Sequence, residues 1–432
     1  MNVGSRGLTP AVGGERMVPM PDAIARDYIV LCLRIDQQVA GFVDAYFGPA
    51  DLKAKVELEQ VRPVALLRED VAALRERIGA SEVADPERRR WFAAQVAAIE
   101  VQLRALAGDP LPYAEHVAAC FDYRMVRRPD AVYAAAATQL SDLVPGDGPL
   151  VDRLAAWDAR SFVPPAQLGA VIDRVIAVVR ERSEHDFGLP PGEGLRVGLV
   201  TGQPWAAYNW YDGGFQSRID VNTDLPSSVK RLVDVLAHEA YPGHHLENAW
   251  KEADLVGARG RLEATVLTYN TPECLISEGL AELGLRFASP PESEAELLVE
   301  LYRLAGLPFA ADPAAAADAA ARTVAMSEAR RTLGGASADA ALMRHAEGAT
   351  HEDALAYLRD VGLMAPDRAA KLLEFIEHPL YRTYVFVYSE GERLLGQWLD
   401  AVPPAGRAAR FGRLLHEQLT PSVIVDELAA AR

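Results

Sequence analysis

Residues 238–245 read HEAYPGHH, and this stretch holds three of the nine histidines in the 432-residue chain. In the zinc-hydrolase motif HExxH, two histidines four residues apart share one face of a helix, and the glutamate lies beside the metal. Here the residue four positions after His238 is Pro242, so the plain motif is absent. The stretch therefore predicts a metal site only if the helix is distorted between the first histidine and the later two.

The spacing of the histidines sets the size of that distortion. On a regular helix with about 100° per residue, His244 lies some 120° from the face of His238, and His245 lies on that face but about 10 Å further along the axis. Pro242 cannot continue the hydrogen-bond ladder, and Gly243 tolerates unusual backbone angles. A bulge that absorbs two residues would select His244, and one that absorbs three would select His245. We favour His244 as the ligand because it needs the smaller distortion, and we assign His245 as a donor to the substrate.

A third ligand is expected from the next helix, which begins after the cap Thr271 with Pro272 in its first turn. Its segment ISEGLAE carries two carboxylates, Glu278 and Glu282, one turn apart on one face. We assign Glu278 as the ligand, because Gly279 allows close approach of another backbone at this point. Glu282 is expected to orient a ligand histidine from behind.

Patterns around the motif predict a mainly α-helical protein. Apolar residues recur at helical spacing through most of the chain, whereas β-branched and aromatic residues at 194–225 predict a sheet of three short antiparallel strands with a hairpin turn at 209–214. Residues 226–288 return to helix and carry the predicted metal site. We expect residues 1–21 to be disordered or loosely packed, and residues 22–432 to form a single helical catalytic unit.

Composition excludes several classes of partner. The formal net charge of −17 and the absence of a Lys/Arg stripe argue against nucleic acid. The cysteines Cys32, Cys120 and Cys274 lie far apart, which argues against a disulfide framework or a thiolate metal site. No apolar stretch approaches the length of a membrane span, and the N-terminus lacks the apolar region of a signal peptide. The sequence thus predicts a cytoplasmic protein with no membrane partner, and it does not indicate an oligomeric state.

HEAYPGHH, SEGLAE and YVFVYSEG together resemble the bacterial family called domain of unknown function 885, which is itself similar to zinc metallopeptidases of the HExxH superclan. The early stretch RIDQQVAGFVDAYFGPADLK and the late stretch FGRLLHEQLTPSVIVDEL are also similar to the ends of that family, so the resemblance covers nearly the whole chain. It implies a mostly helical, two-lobed, metallopeptidase-like fold with a cleft, a catalytic Zn²⁺, and hydrolysis of peptide or related amide bonds.

Residue by residue, the resemblance implies that His238, His244 and Glu278 are the metal ligands, that Glu239 is the general base, and that Tyr388 belongs to the site. The chain departs from the family pattern where EGLA replaces the usual EGWA. It departs again where Glu247 replaces a glutamine. These changes leave the ligands intact and fall on the predicted substrate pocket.

The predicted chemistry follows from charge. A zinc-bound water has its pKa lowered to about 7, and Glu239 is expected to take its proton as it attacks the amide carbonyl and to return it to the leaving nitrogen. Tyr388 or Tyr384, one helical turn apart, and His245 are expected to donate to the oxyanion.

The substrate is expected to lie against the predicted sheet. We assign Tyr384, Arg218 and Tyr211 as substrate-binding residues, and we expect the strand in FQSRIDVN to form the wall of the cleft, with an edge along which an extended substrate pairs.

Two other functions are compatible with the same residues. One is a zinc enzyme that acts on a non-peptide amide or another small-molecule bond. The other is a non-catalytic helical binding protein, because histidines at a helix end are also favoured by the negative pole of the helix dipole.

Overall fold

A computed structural model of the protein describes residues 23–80, 82–203, 205–379 and 381–431. The predicted loose segment, residues 1–21, lies outside these residues. The described chain is mainly helical with small sheets, which confirms the predicted fold class. The helices are α1 Ala23–Gln38, α2 Ala50–Glu57, α3 Val64–Gly79, α4 Pro86–Leu106, α5 Tyr113–Phe121, α6 Asp130–Leu143, α7 Leu150–Ala159, α8 Leu168–Phe187, α9 Val229–Glu239, α10 His244–Trp250, α11 Pro272–Ala288, α12 Pro291–Leu304, α13 Pro313–Gly334, α14 Ala336–His345, α15 His351–Asp360, α16 Pro366–Glu377, α17 Phe386–Asp400, α18 Pro404–His416 and α19 Pro421–Ala430.

Five strands and four short helical segments complete the described part of the chain. A π-helix, Lys251–Ala258, directly continues α10. The strands are β1 Val43–Tyr46, β2 Gly194–Val200, β3 Ala207–Gly213, β4 Gln216–Asn222 and β5 Val266–Thr268, and the 3-10 helices are Pro165–Gln167, Leu262–Thr265 and Pro308–Ala311. None of the described helices combines the length and apolar character that a bilayer span requires.

The three-stranded sheet has the order β2-β4-β3. Strands β3 and β4 form the predicted antiparallel hairpin, and its turn contains Gly213 and Gly214, both with positive φ. Strand β2, however, pairs with β4 in parallel, which corrects the prediction of three antiparallel strands. The strand in FQSRIDVN is therefore the centre of the sheet, and the edges belong to β2 and β3.

A second, two-stranded sheet pairs β1 with β5 in antiparallel orientation and was not predicted. Both strands are only three or four residues long, so alternation gives too little signal to identify them from sequence. Strand β5 leads directly into the turn before α11. The second sheet therefore joins the N-terminal helices to the predicted metal-site helix.

Apolar side chains form two buried clusters. The smaller cluster lies among the N-terminal helices, where Tyr28, Trp91 and Phe92 contact one another edge to face with ring centroids 5.2–5.6 Å apart. The larger cluster contains α8, α9, α11, α17 and the helices after α11. Helix α11 is buried along most of its length and packs extensively against α17. Glu273 and Glu278 of α11 are therefore held in the interior between other elements, whereas Glu282 is partly exposed.

The two predicted metal-site helices begin where the sequence indicates. Ser228 is the N-cap of α9, and its hydroxyl accepts a hydrogen bond from the backbone N–H of Arg231 at 3.3 Å. Helix α11 begins at Pro272 as predicted, but the Thr271 hydroxyl donates to the backbone oxygen of Thr268 at 2.9 Å instead of capping the helix. This bond ties the start of α11 to the end of β5.

Candidate metal centre and active site

The helix containing the motif is interrupted where the sequence predicts it. Helix α9 ends at Glu239, and α10 starts at His244 after a cis Tyr241–Pro242 peptide bond. Across the interruption, the N–H of Gly243 donates to the oxygen of Ala237, and the N–H of Leu246 donates to the oxygen of Ala240, at 3.2 and 3.3 Å. Both bonds span six residues, whereas a regular α-helix spans four, so the break absorbs two residues. This is the distortion that selects His244.

Gly243 is required at this break because its backbone approaches that of α9 closely. A methyl group at Gly243 would lie 1.8 Å from the oxygen of His238 and 2.6 Å from the oxygen of Ala237. Only a residue without a side chain fits this approach. The sequence pair Pro-Gly therefore performs both tasks predicted for it, opening the ladder and allowing the close turn.

His238, His244 and Glu278 converge at one place. One side-chain ligand atom from each lies within 4.8 Å of the others. The Oε2 atom of Glu278 is 3.3 Å from His238 Nε2 and 3.7 Å from His244 Nε2, and the two imidazole rings stand almost perpendicular, with centroids 4.7 Å apart. The structure thus brings together the three predicted ligands, and it places His244 beside His238 rather than His245.

The donor set fits a zinc ion. The Oε2 atom of Glu278 is buried and has no hydrogen-bond partner, although the other carboxylate oxygen, Oε1, accepts from the Tyr384 hydroxyl at 2.5 Å. A buried carboxylate oxygen without a donor is costly unless a cation compensates it. Two imidazoles and one carboxylate are also a common zinc set in hydrolases, which leaves one position open for water.

Electrostatics at the cluster favour positive charge. Burial alone would lower the pKa of His238 and of His244, but the surrounding carboxylates, Glu278 among them, raise both. Burial would raise the pKa of Glu278, and the two imidazoles lower it strongly. Each group therefore stabilises the charged form of its neighbours, as expected for a site that accommodates a cation.

A carboxylate lies behind each imidazole. Glu282 Oε1 is 3.5 Å from His238 Nδ1, which agrees with the role predicted for Glu282. Glu247 Oε2 is 3.5 Å from His244 Nδ1, and this partner was missed. In both histidines Nδ1 faces a carboxylate while Nε2 faces Glu278, which is the usual arrangement of metal-ligating histidines.

Glu247 belongs to a buried polar chain that continues away from the cluster. Its Oε2 accepts from the Ser277 hydroxyl at 2.6 Å, and its Oε1 lies 2.8 Å from Lys251 Nζ, which in turn bonds Glu273 at 2.7 Å. Burial alone would raise the pKa of Glu247, but Lys251 and His244 lower it to about 2. Glu247 is therefore held as a carboxylate. Its position three residues after His244, on the same helix face, is the signal that could have identified it.

Glu239, the predicted base, lies at the C-terminal end of α9. Its side chain is buried beside the cluster without a hydrogen-bond partner of its own among the described contacts, and burial raises the pKa of its carboxyl group. Its backbone oxygen accepts from the Asn209 side chain of β3 at 2.6 Å, which fixes the end of the helix against the sheet. A buried carboxyl of raised pKa beside a metal site is suited to accepting and releasing a proton.

The two predicted tyrosines occupy different environments. Tyr388 lies in the first turn of α17, is 40% exposed, and has its ring centroid 6.4 Å from that of His238, so this side chain borders the cluster from the surface. Tyr384 is buried and donates to Glu278, which makes it a support for the ligand rather than a substrate-binding residue. The Tyr384 prediction is corrected accordingly.

His245 does not face the cluster. It is fully buried, its Nδ1 lies 2.8 Å from the Ser217 hydroxyl, and its Nε2 lies 2.9 Å from Glu193 Oε2. Because a carboxylate only accepts, Nε2 carries the proton that is donated to Glu193. Both ring nitrogens are therefore used within the fold, and the predicted role of His245 as a catalytic donor is wrong.

Tyr211 and Arg218 both have partners within the fold, and their substrate-binding roles stay predictions. The Tyr211 hydroxyl donates to Glu252 at 2.5 Å, and the same carboxylate accepts from the backbone of the hairpin turn. Arg218 lies over the Trp210 ring and pairs with Asp220 at 3.4 Å on the outer face of the sheet. Strand β4 is central, so it offers no free edge at Arg218.

Asp44 is a carboxylate near the cluster that the sequence analysis did not identify. It lies on β1, and the Tyr208 hydroxyl donates to its Oδ1 atom. Burial raises the pKa of Asp44 by more than hydrogen bonds from Tyr208 and Tyr269 lower it, so its pKa is above the ordinary value, and the charge of Glu278 adds to this rise. The residue comes from a strand far away in the sequence, so no local pattern connects it to the motif.

Comparison with known proteins finds solved structures of low similarity. No protein-family description and no curated protein matches the chain. A candidate lipoprotein from Colwellia psychrerythraea has 16% identity and a TM-score of 0.46, over 84% of this chain and 66% of its own length, slightly under two thirds. A candidate lipoprotein of unknown function from Shewanella oneidensis has 12% identity and a TM-score of 0.48, over 94% of this chain and 82% of its own. At these values the similarity carries no conclusion about activity.

Proposed function

We propose that the protein is a zinc-dependent hydrolase that cleaves amide bonds of peptides or peptide-like small molecules. The observation that carries the proposal is the buried Oε2 atom of Glu278, which accepts no hydrogen bond and lies between the Nε2 atoms of His238 and His244, at 3.3 and 3.7 Å. His238, His244 and Glu278 would hold the ion. When bound, zinc would polarise a water molecule and lower its pKa to about 7.

The residues of the chain supply the proton transfers. Glu239 would accept the proton of the attacking water on its carboxylate and deliver it to the nitrogen of the leaving group. The hydroxyl of Tyr388, a partly exposed residue beside His238, would donate to the carbonyl oxygen as negative charge develops there. Tyr384 and Glu282 would keep Glu278 and His238 oriented throughout the reaction.

Metal analysis and a substitution of the base test the proposal together. We expect the purified protein to bind zinc and to hydrolyse members of a peptide library detected by mass. Glu239→Gln should keep the zinc content of the wild type and lose about 100- to 10,000-fold in turnover. The matched control is Glu300→Gln, which removes a half-exposed carboxylate that pairs with Arg174 outside the site.

Different results separate the alternatives. A protein that binds zinc but cleaves no peptide in the library would favour the zinc enzyme of non-peptide substrates. A protein that binds no zinc would contradict the proposal. The cytoplasmic location stays a prediction, and cell fractionation would test it.

A further inference from the structure

We propose that Asp44 binds a positively charged amino group of the substrate. The protein would then act on small substrates in which a free amine lies next to the scissile amide, as in the first peptide bond of a dipeptide or tripeptide. This inference deepens the hydrolase proposed above and rests on it. Two features of the structure support it: the position of Asp44, and the closed edge of β3.

Asp44 lies on β1, and contacts with β5 and β3 hold it near the cluster. Strand β1 pairs with β5, which leads into α11 and thus toward Glu278. The hydroxyl of Tyr208 donates to Asp44 Oδ1, and Tyr269 also hydrogen-bonds the carboxylate. Asn209, the residue after Tyr208 on β3, donates to the backbone oxygen of Glu239 at 2.6 Å. The Tyr269 ring, just after β5, contacts the ring of Tyr384, which donates to Glu278, with centroids 4.7 Å apart. These contacts place Asp44 on the side of the cluster that carries Glu239 and Glu278.

Strand β1 also covers the outer edge of β3. Tyr208 bonds Asp44, the Tyr211 ring contacts the Phe47 ring edge to face with centroids 4.8 Å apart, and a methyl group at Gly213 would lie 3.4 Å from the Phe47 side chain. The other edge of β3 is already paired with β4. A long extended peptide therefore cannot pair along β3 in the way that strand addition requires.

The closed edge and the carboxylate favour the same kind of substrate. A substrate peptide whose end meets β1 would place its terminal group against Asp44. Of the two terminal groups of a peptide, the ammonium is the one that a carboxylate complements. The ammonium would also offset the excess of negative charge contributed by Asp44 and Glu239. In the reaction, the amide C–N bond breaks, the hydroxyl of water joins the carbonyl carbon, and the leaving nitrogen gains a proton, while the ammonium at Asp44 is unchanged.

The direct test compares dipeptides with their N-acetylated forms on the zinc-loaded wild-type protein. We expect kcat/KM for the free amines to exceed that for the acetylated forms by roughly 100-fold, because acetylation removes the charge that Asp44 would bind. Equal values, or a preference for the acetylated forms, would overturn the proposal. This comparison needs no variant, so it does not depend on how substitutions fold.

Asp44→Asn tests the residue itself. We expect the preference for free amines to fall from roughly 100-fold to near unity. The matched control is Asp212→Asn, an aspartate of β3 that is half exposed and pairs with Arg196 away from the site, and it should retain the preference. A folded Asp44→Asn protein that keeps the full preference would contradict the proposal. If Asp44→Asn does not fold by circular dichroism, Tyr208→Phe, which removes one support of Asp44, should lower the preference by about 10-fold.

A binding measurement keeps this inference separate from the hydrolase proposal. Isothermal titration of zinc-loaded Glu239→Gln protein with leucinamide and N-acetyl-leucinamide should show binding of the free amine alone. If no substrate is hydrolysed, the hydrolase proposal fails. Binding of leucinamide that the Asp44→Asn, Glu239→Gln double variant loses would still support the amine site, and absence of leucinamide binding would overturn it.

Discussion

Gly279 of α11 and Gly391 of α17 meet at the point where the two helices cross. A methyl group on Gly279 would lie 2.5 Å from the backbone carbonyl carbon of Gly391, and one on Gly391 would lie 2.6 Å from the oxygen of Leu275. Backbones that approach this closely bring α17 near the ligand side of α11, where Tyr384 just before α17 reaches Glu278. The predicted close approach at Gly279 is therefore found, and it supports Glu278, the proposed third ligand.

Gly279→Ala should destabilise the protein by about 1–3 kcal/mol, because the added methyl group forces two packed helices apart. Urea unfolding at equilibrium measures the change. Gly412→Ala is the control: Gly412 lies in α18 with no atom near an added methyl group, and alanine is the better helix former, so this change should be neutral or stabilising by up to about 1 kcal/mol. Equal destabilisation by both changes would argue against the crossing as the cause.

Gly243→Ala should weaken zinc binding by about 10-fold or more. The added methyl group would lie 1.8 Å from the oxygen of His238, so the turn that brings His244 back beside His238 must shift. Competition with a chromophoric chelator measures the dissociation constant. Gly169→Ala, in the open first turn of α8, should leave zinc affinity unchanged. Unchanged affinity in folded Gly243→Ala protein would show that the ligands tolerate a different turn.

The three residues of the candidate metal centre could be predicted from sequence because their signals are local. Pro242 and Gly243 indicate where the helix must break, and helix geometry gives the number of residues that the break must absorb. His238 and His244 could therefore be paired without coordinates. Glu278 was identified by its neighbour Gly279 and by the resemblance of the surrounding segment. Each of these inferences uses residues within one element or two.

Contacts between residues from distant parts of the chain could not be predicted from the sequence. His245 looks the same as His244 in sequence, and only the presence of Glu193 and Ser217 on its side of the helix shows that it is structural. Asp44 is separated from the motif by almost two hundred residues. The parallel pairing of β2 with β4 likewise depends on the tertiary structure. The alternation of apolar and polar residues within a strand does not specify the direction of the neighbouring strand.

Ionised Glu193 should stabilise the fold near neutral pH, and this stabilisation should be lost when Glu193 is protonated in acid. Burial opposes its ionisation, but hydrogen bonds from His245, Tyr241 and Arg180 lower its pKa from the ordinary 4.5 to about 2. Because the folded pKa is below the unfolded one, this stabilisation is present above about pH 4.5 and is lost as the pH falls toward 2. The contribution near neutral pH is up to about 3 kcal/mol.

Urea unfolding of the wild type and Glu193→Gln between neutral pH and about pH 3 measures this contribution. The variant should be less stable at neutral pH and should lose less stability on acidification. Glu300→Gln is the control, because this half-exposed partner of Arg174 contributes at most about 1 kcal/mol. Parallel pH profiles for the wild type and Glu193→Gln would exclude Glu193 as the acid-sensitive group.

Glu247→Gln should lower zinc affinity by about 10- to 100-fold, because the carboxylate 3.5 Å from His244 Nδ1 orients that imidazole and increases its basicity. The change also removes one of the two carboxylates that contact Lys251, so stability alone does not isolate the effect on the metal. Glu273→Gln separates the two, since Glu273 contacts Lys251 at 2.7 Å and, within the described part of the chain, forms no ion pair or hydrogen bond with His244. We expect both variants to unfold at lower urea concentrations, and only Glu247→Gln to bind zinc more weakly in chelator competition. Equal loss of zinc affinity in both would mean that the buried lysine network, rather than the carboxylate behind His244, controls the metal site.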